Sequence, residues 1–189
     1  MLIKFQGKTP QVGDKVFIAQ GAKVIGEVEL GEDSSIWFNC VLRADFNFIK
    51  IGKRTNIQDL TTIHIWHKEL DEKGVLKDRG YPTIIGDDVS IGHNCVIHAC
   101  EIKNRVLVGM NSTIMDGVCI EEDSIVGAGS VVTKHKKFPP RSLILGNPAK
   151  FVRELNQEEV DFLKISAQNY VEFKNAFLKE NSVTQKPIL

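Results

Sequence analysis

Two histidines, His93 and His98, stand five residues apart in "IGHNCVIHAC", a stretch otherwise suited to buried strand. That spacing places two side chains on neither one face of a helix nor one face of a flat strand, so the usual short metal motifs are excluded. Imidazoles set among Val, Ile and Gly can ligate a metal or act as a general base. Which of these applies depends on how the chain turns between them.

The elements that position them form a repeat. Aliphatic residues recur every six positions at Val12, Ile18, Val24, Leu30, Ile36 and Leu42, and again at Ile51, Ile57 and Ile63. After an insertion the pattern returns at Ile85, Ile91 and Ile97, slips by one, and runs through Ile102, Val108, Ile114, Ile120, Val126 and Val132. Gly commonly follows the aliphatic residue, and glycine is expected to supply the sharp corners. Three short strands then close one triangular coil, and stacked coils bury the aliphatic column while their backbones pair. The expected fold is mainly β, a parallel β-helix of about six triangular coils, because a β-sandwich does not hold a strict six-residue phase.

This β-helix domain is assigned to residues 1–150, with an insertion loop at 66–82, and a C-terminal helix and tail to 151–189. Asn156 and Glu159 sit at capping-box positions. Val160, Leu163, Ala167, Tyr170, Val171 and Phe177 fall on one helical stripe that should lie along a face of the prism.

With the faces named A, B and C in chain order, Ile57 and Ile91 head face B, and Ile63 and Ile97 head face C. His64 and His98 each follow a face C head, so they stack on neighbouring coils about 4.8 Å apart. Two such imidazoles can converge on one ion at metal–nitrogen distances of about 2.0–2.1 Å. His93 lies on face B, so its natural partners are His64 and His98 of a neighbouring molecule in a closed cyclic assembly. Three neutral imidazoles with an open fourth position suit catalytic zinc, and iron or cobalt accept the same donors. His67 in the insertion and His135 in "TKHKK" have no stacking partner and are read as non-ligands.

Polar residues gather around both halves of this arrangement. Arg43 falls in the column of His64 and His98, while Asp59 stacks beneath His93 with Gln58 beside it. Arg43, Asp45, Gln58 and Asp59 are candidates to pair across subunits and to orient water or a small oxyanion.

Composition narrows the partners. The chain has 24 Lys plus Arg against 24 Asp plus Glu, so no overall field recruits nucleic acid or an anionic membrane. No apolar run is long enough to span a bilayer, and a cytoplasmic location is expected. Cys40, Cys95, Cys100 and Cys119 show no CxxC pairing and are read as small buried hydrophobes.

The segments "RADFN", "NIQD", "IHIWH", "IGDDVSIGHNCVIHAC", "VGMNSTIMDG", "SIVGAGSVVT" and "GNPAK" together resemble the gamma-class carbonic anhydrase family over nearly the whole chain. The resemblance implies left-handed winding and a homotrimer with interfacial zinc sites, each liganded by His64 and His98 of one subunit and His93 of the next. It also implies reversible hydration of CO2 to bicarbonate by a metal-bound hydroxide, with Arg43, Asp45, Gln58 and Asp59 in support. Tyr170 matches the helix tyrosine that approaches the metal pocket. Phe46 stands where the best-characterised active members carry an acidic residue, which leaves proton export to the insertion or to buffer. The chain thus reads as a zinc-dependent lyase. Two other functions compete: a hexapeptide-repeat acyltransferase using one His as general base, and a non-catalytic metal-binding trimeric module.

Overall fold

Burial of one aliphatic side chain per strand organises the molecule. In the computed structural model, which describes residues 1–67, 69–78 and 80–182, the column residues from Val24 to Val132 are buried. Val12 is exposed and Ile18 half-buried, as befits the open first end. The expected tail, 183–189, lies outside the described residues, as do Lys68 and Arg79 of the insertion.

All coil-to-coil pairing is parallel. Face A stacks Val12, Leu30, Ile51, Ile85, Ile102, Ile120 and Phe138 in register. Face B stacks Ile18, Ile36, Ile57, Ile91, Val108, Val126 and Ile144. Face C continues from Leu42 through Ile63, Ile97 and Ile114 to Val132. The period therefore runs past Val132 to Phe138 and Ile144, because an aromatic ring fills the inward position as well as an aliphatic one. The following prolines, Pro139 and Pro140, occupy the turn between those two strands.

The glycines after the column residues do a different job from the one expected. Positive φ angles at the corners belong to residues such as Asp33 (58°), Asn94 (55°) and Asn111 (59°). Gly52 and Gly92 instead permit close approach between coils. A Cβ at Gly52 would lie 2.3 Å from the Gly86 carbonyl oxygen, and one at Gly92 2.7 Å from the Met110 nitrogen.

Two departures from the repeat matter for the site. The long strand Val41–Ile51 serves faces C and A in turn. Its pairing jumps from Gly26↔Ala44 to Val28↔Ile49, so the chain around Asp45–Phe48 bulges outward. The insertion leaves the prism at a neck where the Trp66 N–H donates to the Tyr81 carbonyl at 2.9 Å, and it carries an antiparallel hairpin of Glu69–Leu70 and Leu76–Asp78.

At the end of face B, Ser142–Gly146 also pairs antiparallel with Ala149–Glu154, a strand that crosses residue 150, and the helix spans Gln157–Ser182. The capping box forms: Glu159 N–H donates to Asn156 Oδ1 and Asn156 N–H to Glu159 Oε2, both at 2.9 Å. Leu155, Val160 and Leu163 pack on Leu107, Ile125 and Leu143, which seats the helix along face B. Farther along, Lys174 is wholly buried, and its Nζ donates to Asp33 Oδ1 at 2.9 Å. The apolar stripe read from sequence omitted Lys174, whose stem packs like a hydrocarbon while its tip reaches a corner carboxylate.

Candidate metal centre

The stacking of His64 and His98 is direct, since the two residues are register partners in adjacent parallel strands. His64 Nδ1 and His98 Nε2 face each other at 3.2 Å. The outer nitrogen of each ring is held by a carboxylate. His64 Nε2 lies 3.0 Å from Asp45 Oδ1, and His98 Nδ1 lies 2.5 Å from Asp116 Oδ1. Each carboxylate also has a cation: Arg43 on Asp45, and Lys134 Nζ on Asp116 Oδ2 at 3.0 Å.

The electrostatics fix which nitrogens carry hydrogen. Burial raises the Asp45 pKa, but the His64 hydrogen bond and the Arg43 charge outweigh it and hold the carboxyl below its usual range. Asp116 is also lowered: burial pushes it up, while Lys134 and His98 pull it further down. Ionised carboxylates only accept, so His64 must donate from Nε2 and His98 from Nδ1. Burial, opposed by Asp45 and aided by Arg43, lowers the His64 pKa and favours its neutral form.

For neutral rings, the two facing nitrogens then both present lone pairs, 3.2 Å apart. Such a contact is repulsive unless a proton on one ring or a metal ion lies between them. A tetrahedral ion with bonds of about 2.0–2.1 Å holds its donors about 3.3–3.4 Å apart, so the pair fits zinc as it stands.

His93 lies apart from the pair. Its Nδ1 lies 2.9 Å from Asp59 Oδ2, its side chain is 45% exposed, and its Nε2 has no partner among the described residues. Among those residues of one chain, no three His, Cys, Asp or Glu side chains converge as a metal site. His93 borders two cavities. One, of about 380 Å³, is lined by Gln58, Leu107, Met110 and Ile125 over a floor that includes Gly109. The other, of about 400 Å³, lies under the helix between Trp37, Asp59, Tyr170, Phe173 and Phe177.

Comparison with known proteins assigns the scaffold. Residues 99–134 match the bacterial transferase hexapeptide (six repeats) family, and residues 82–100 the hexapeptide repeat of succinyl-transferase. Gamma carbonic anhydrase 2, mitochondrial, of Arabidopsis thaliana is 43% identical over 175 residues, covering 93% of this chain and 61% of that protein. A carbonic anhydrase of Geobacillus kaustophilus is 39% identical over 172 residues, covering 91% of this chain and 88% of the other.

The chain belongs to the gamma carbonic anhydrase family.

It spans about three fifths of the length of the Arabidopsis relatives it matches. A hexapeptide transferase family protein from Anaplasma phagocytophilum has the same fold, with a TM-score of 0.84 at 39% identity over 94% of this chain and 98% of that one. These matches accord with the left-handed winding that the resemblance implies.

The remaining candidates of this gamma carbonic anhydrase family chain occupy defined places. Arg43 pairs with Asp45 within the chain, and Asp59 pairs with His93 while accepting the Phe38 N–H at 3.2 Å. Gln58 is buried, and its Nε2 donates to Asn56 Oδ1 at 3.1 Å. That bond leaves one amide hydrogen and the carbonyl oxygen for a ligand. Tyr170 sits edge-on to Trp37 at 5.6 Å, and burial, with the Asp59 charge, raises its pKa and keeps the phenol protonated. His67 stacks on Trp66, and His135 lies against Tyr81.

Asp116 and Lys134 were not among the sequence candidates. The available signal was positional: each stands two residues after a face C head, Ile114 and Val132 respectively, on the coils above His98.

Proposed function

We propose that this chain forms a homotrimer in which His64 and His98 of one subunit and His93 of the next hold a zinc ion, and that the site hydrates CO2 reversibly to bicarbonate. The observation that carries the reading is the convergence of two carboxylate-backed imidazoles whose inner nitrogens face each other at 3.2 Å. Iron or cobalt would be held by the same three rings. When bound, the ion supplies Lewis acidity that brings the pKa of water to about 7.

The chain's own groups have distinct tasks. Asp45 and Asp116 keep the ring hydrogens on the outer nitrogens, and Asp59 stands 2.9 Å from His93 Nδ1 to support the third ring. Gln58, fixed by Asn56, offers an amide hydrogen to a bicarbonate oxygen. Trp37, Tyr170 and Phe173 give CO2 an apolar approach beside His93. Phe46 is exposed and brings no carboxylate. Within the insertion, Asp71 Oδ1 accepts the Lys73 and Val75 N–H groups, and proton export falls to the acids of that insertion or to external buffer.

Metal analysis, sedimentation and stopped-flow CO2 hydration on the same preparation test this reading. The expected result is a trimer with one ion per subunit and a rate that climbs with pH through about 7 and with buffer concentration. A metal-replete trimer without hydration at any buffer strength overturns the enzyme in favour of a binding module. A protein that binds no metal and transfers acyl groups from a CoA thioester overturns it in favour of the acyltransferase.

A further inference from the structure

The two stacked histidines are supported in the same order, cation to carboxylate to imidazole, but by unrelated parts of the chain. Arg43 and Asp45 come from the one bulged strand Val41–Ile51. Asp116 and Lys134 come from two successive coils, each two residues past register partners Ile114 and Val132. Asp116 uses both oxygens: Oδ1 faces His98 Nδ1 at 2.5 Å, and Oδ2 faces Lys134 Nζ at 3.0 Å. Its side chain is 10% exposed, whereas that of Lys134 is 50% exposed, so the lysine is the outer member.

Lys134 is itself located by a ring. Its Nζ lies 5.3 Å from the centroid of Trp66, within cation–π range. The same indole stands edge-on to His98, with centroids 6.3 Å apart at 76°. Trp66 is the first residue of the insertion, and its backbone is fixed at both polar groups. Its N–H donates to the Tyr81 carbonyl, and its carbonyl accepts from Asn47 Nδ2 at 3.3 Å.

We propose that Asp116 and Lys134 are positioning residues for the metal pair: Asp116 fixes the tautomer and ring angle of His98, and Lys134, held over Trp66, fixes Asp116. The assignment rests on the metal reading above. With Asp116 in place, only His98 Nε2 can point a lone pair at His64. Without it, either nitrogen can carry the hydrogen and the ring can turn. A supporting carboxylate also makes its imidazole a stronger donor, and loss of such a partner typically weakens metal binding by about 10- to 100-fold. A bare surface ion pair would have no such effect.

Titration of Co2+ into the metal-stripped full-length chain, followed by its visible absorption, separates the two cases. The control is Asp123→Asn, which breaks a comparable pair with Arg105, 2.6 Å long, at another corner. Asp116→Asn should weaken Co2+ binding by about 10- to 100-fold and shift the absorption band, while Asp123→Asn changes neither. Lys134→Met should weaken binding by less than about tenfold and add nothing when Asp116 is already Asn. If Asp116→Asn lowers the melting point of the metal-free chain far more than the control does, the Lys134→Met spectrum decides. Wild-type affinity and spectrum in both Asp116→Asn and Lys134→Met, with loss in His98→Ala, overturns the positioning role and leaves the metal site intact. Equal Co2+ binding by wild type and His98→Ala overturns the metal reading itself.

Discussion

Face C and face B carry the proposed ligands in opposite states of completion. On face C, His64 and His98 are 23% and 28% exposed, touch each other, and have their outer nitrogens held by Asp45 and Asp116. On face B, His93 is nearly half exposed, has one aspartate, and shares its surroundings with the C-terminal helix rather than with another histidine. The difference follows from construction. Stacked strands alone bring together residues at one position of successive coils, so the repeat can finish a pair. It cannot bring a residue from another face to that pair within the same chain.

The largest test of that contrast removes one ligand from each face. His98→Ala and His93→Ala should each weaken zinc binding by more than about 100-fold, the upper end of what losing a mere supporting partner costs. If the site is shared, the two defects are complementary. Unfolding the two variants together and refolding them as a mixture should restore tight binding in a fraction of sites, because one chain supplies His64 and His98 and the other supplies His93. No recovery in a mixture that does form trimers would place all three ligands elsewhere than between subunits.

The same contrast explains what could be seen in the sequence. The coil stack and the His64–His98 column were legible because both depend on a fixed period, and the register His98↔His64 follows from it. Asp45 was a candidate, but its contact with His64 was not foreseen. Arg43 holds the place in the column, and only the bulge after Ala44 swings the next carboxylate to the ring. Asp116 and Lys134 escaped because a corner residue reaches across to its neighbour by side-chain length, which a column count ignores. Lys174 escaped for a related reason: a search for apolar stripes cannot find a lysine that is buried because its partner, Asp33, belongs to a distant coil.

That lysine gives the next test, which bears on face B alone. Lys174 is fully buried, while the Asp33 side chain keeps 22% exposure, so removing the cation leaves a carboxylate that water can still partly reach. Lys174→Met should therefore cost about 1.5–3 kcal/mol, the worth of a hydrogen bond to a charged group, rather than the larger penalty of a fully stranded charge. The loss should be local. Hydrogen exchange should quicken along the helix and leave the strand Val96–His98 protected. Equal loosening of both would mean that helix and prism unfold as one unit and that the two faces are not independent.

The smallest effect lies at the start of the same helix. Asn156→Ala removes an N-cap and should cost about 1 kcal/mol, again on the face B side only. The other half of the capping box adds a pH signature. The Arg153 guanidinium, and then the Asn156 N–H, hold the Glu159 pKa down at about 2. A carboxylate depressed in the folded state binds its proton more readily when unfolded. Its contribution is therefore present above the unfolded value of about 4.5 and is lost as pH falls through the folded value of about 2. The gap in melting temperature between wild type and Glu159→Gln should thus be constant above pH 5 or so and close progressively below it. A gap that stays open down to about pH 2 would show that Glu159 acts through its shape rather than its charge, and that the helix is seated by packing on Leu107, Ile125 and Leu143 alone.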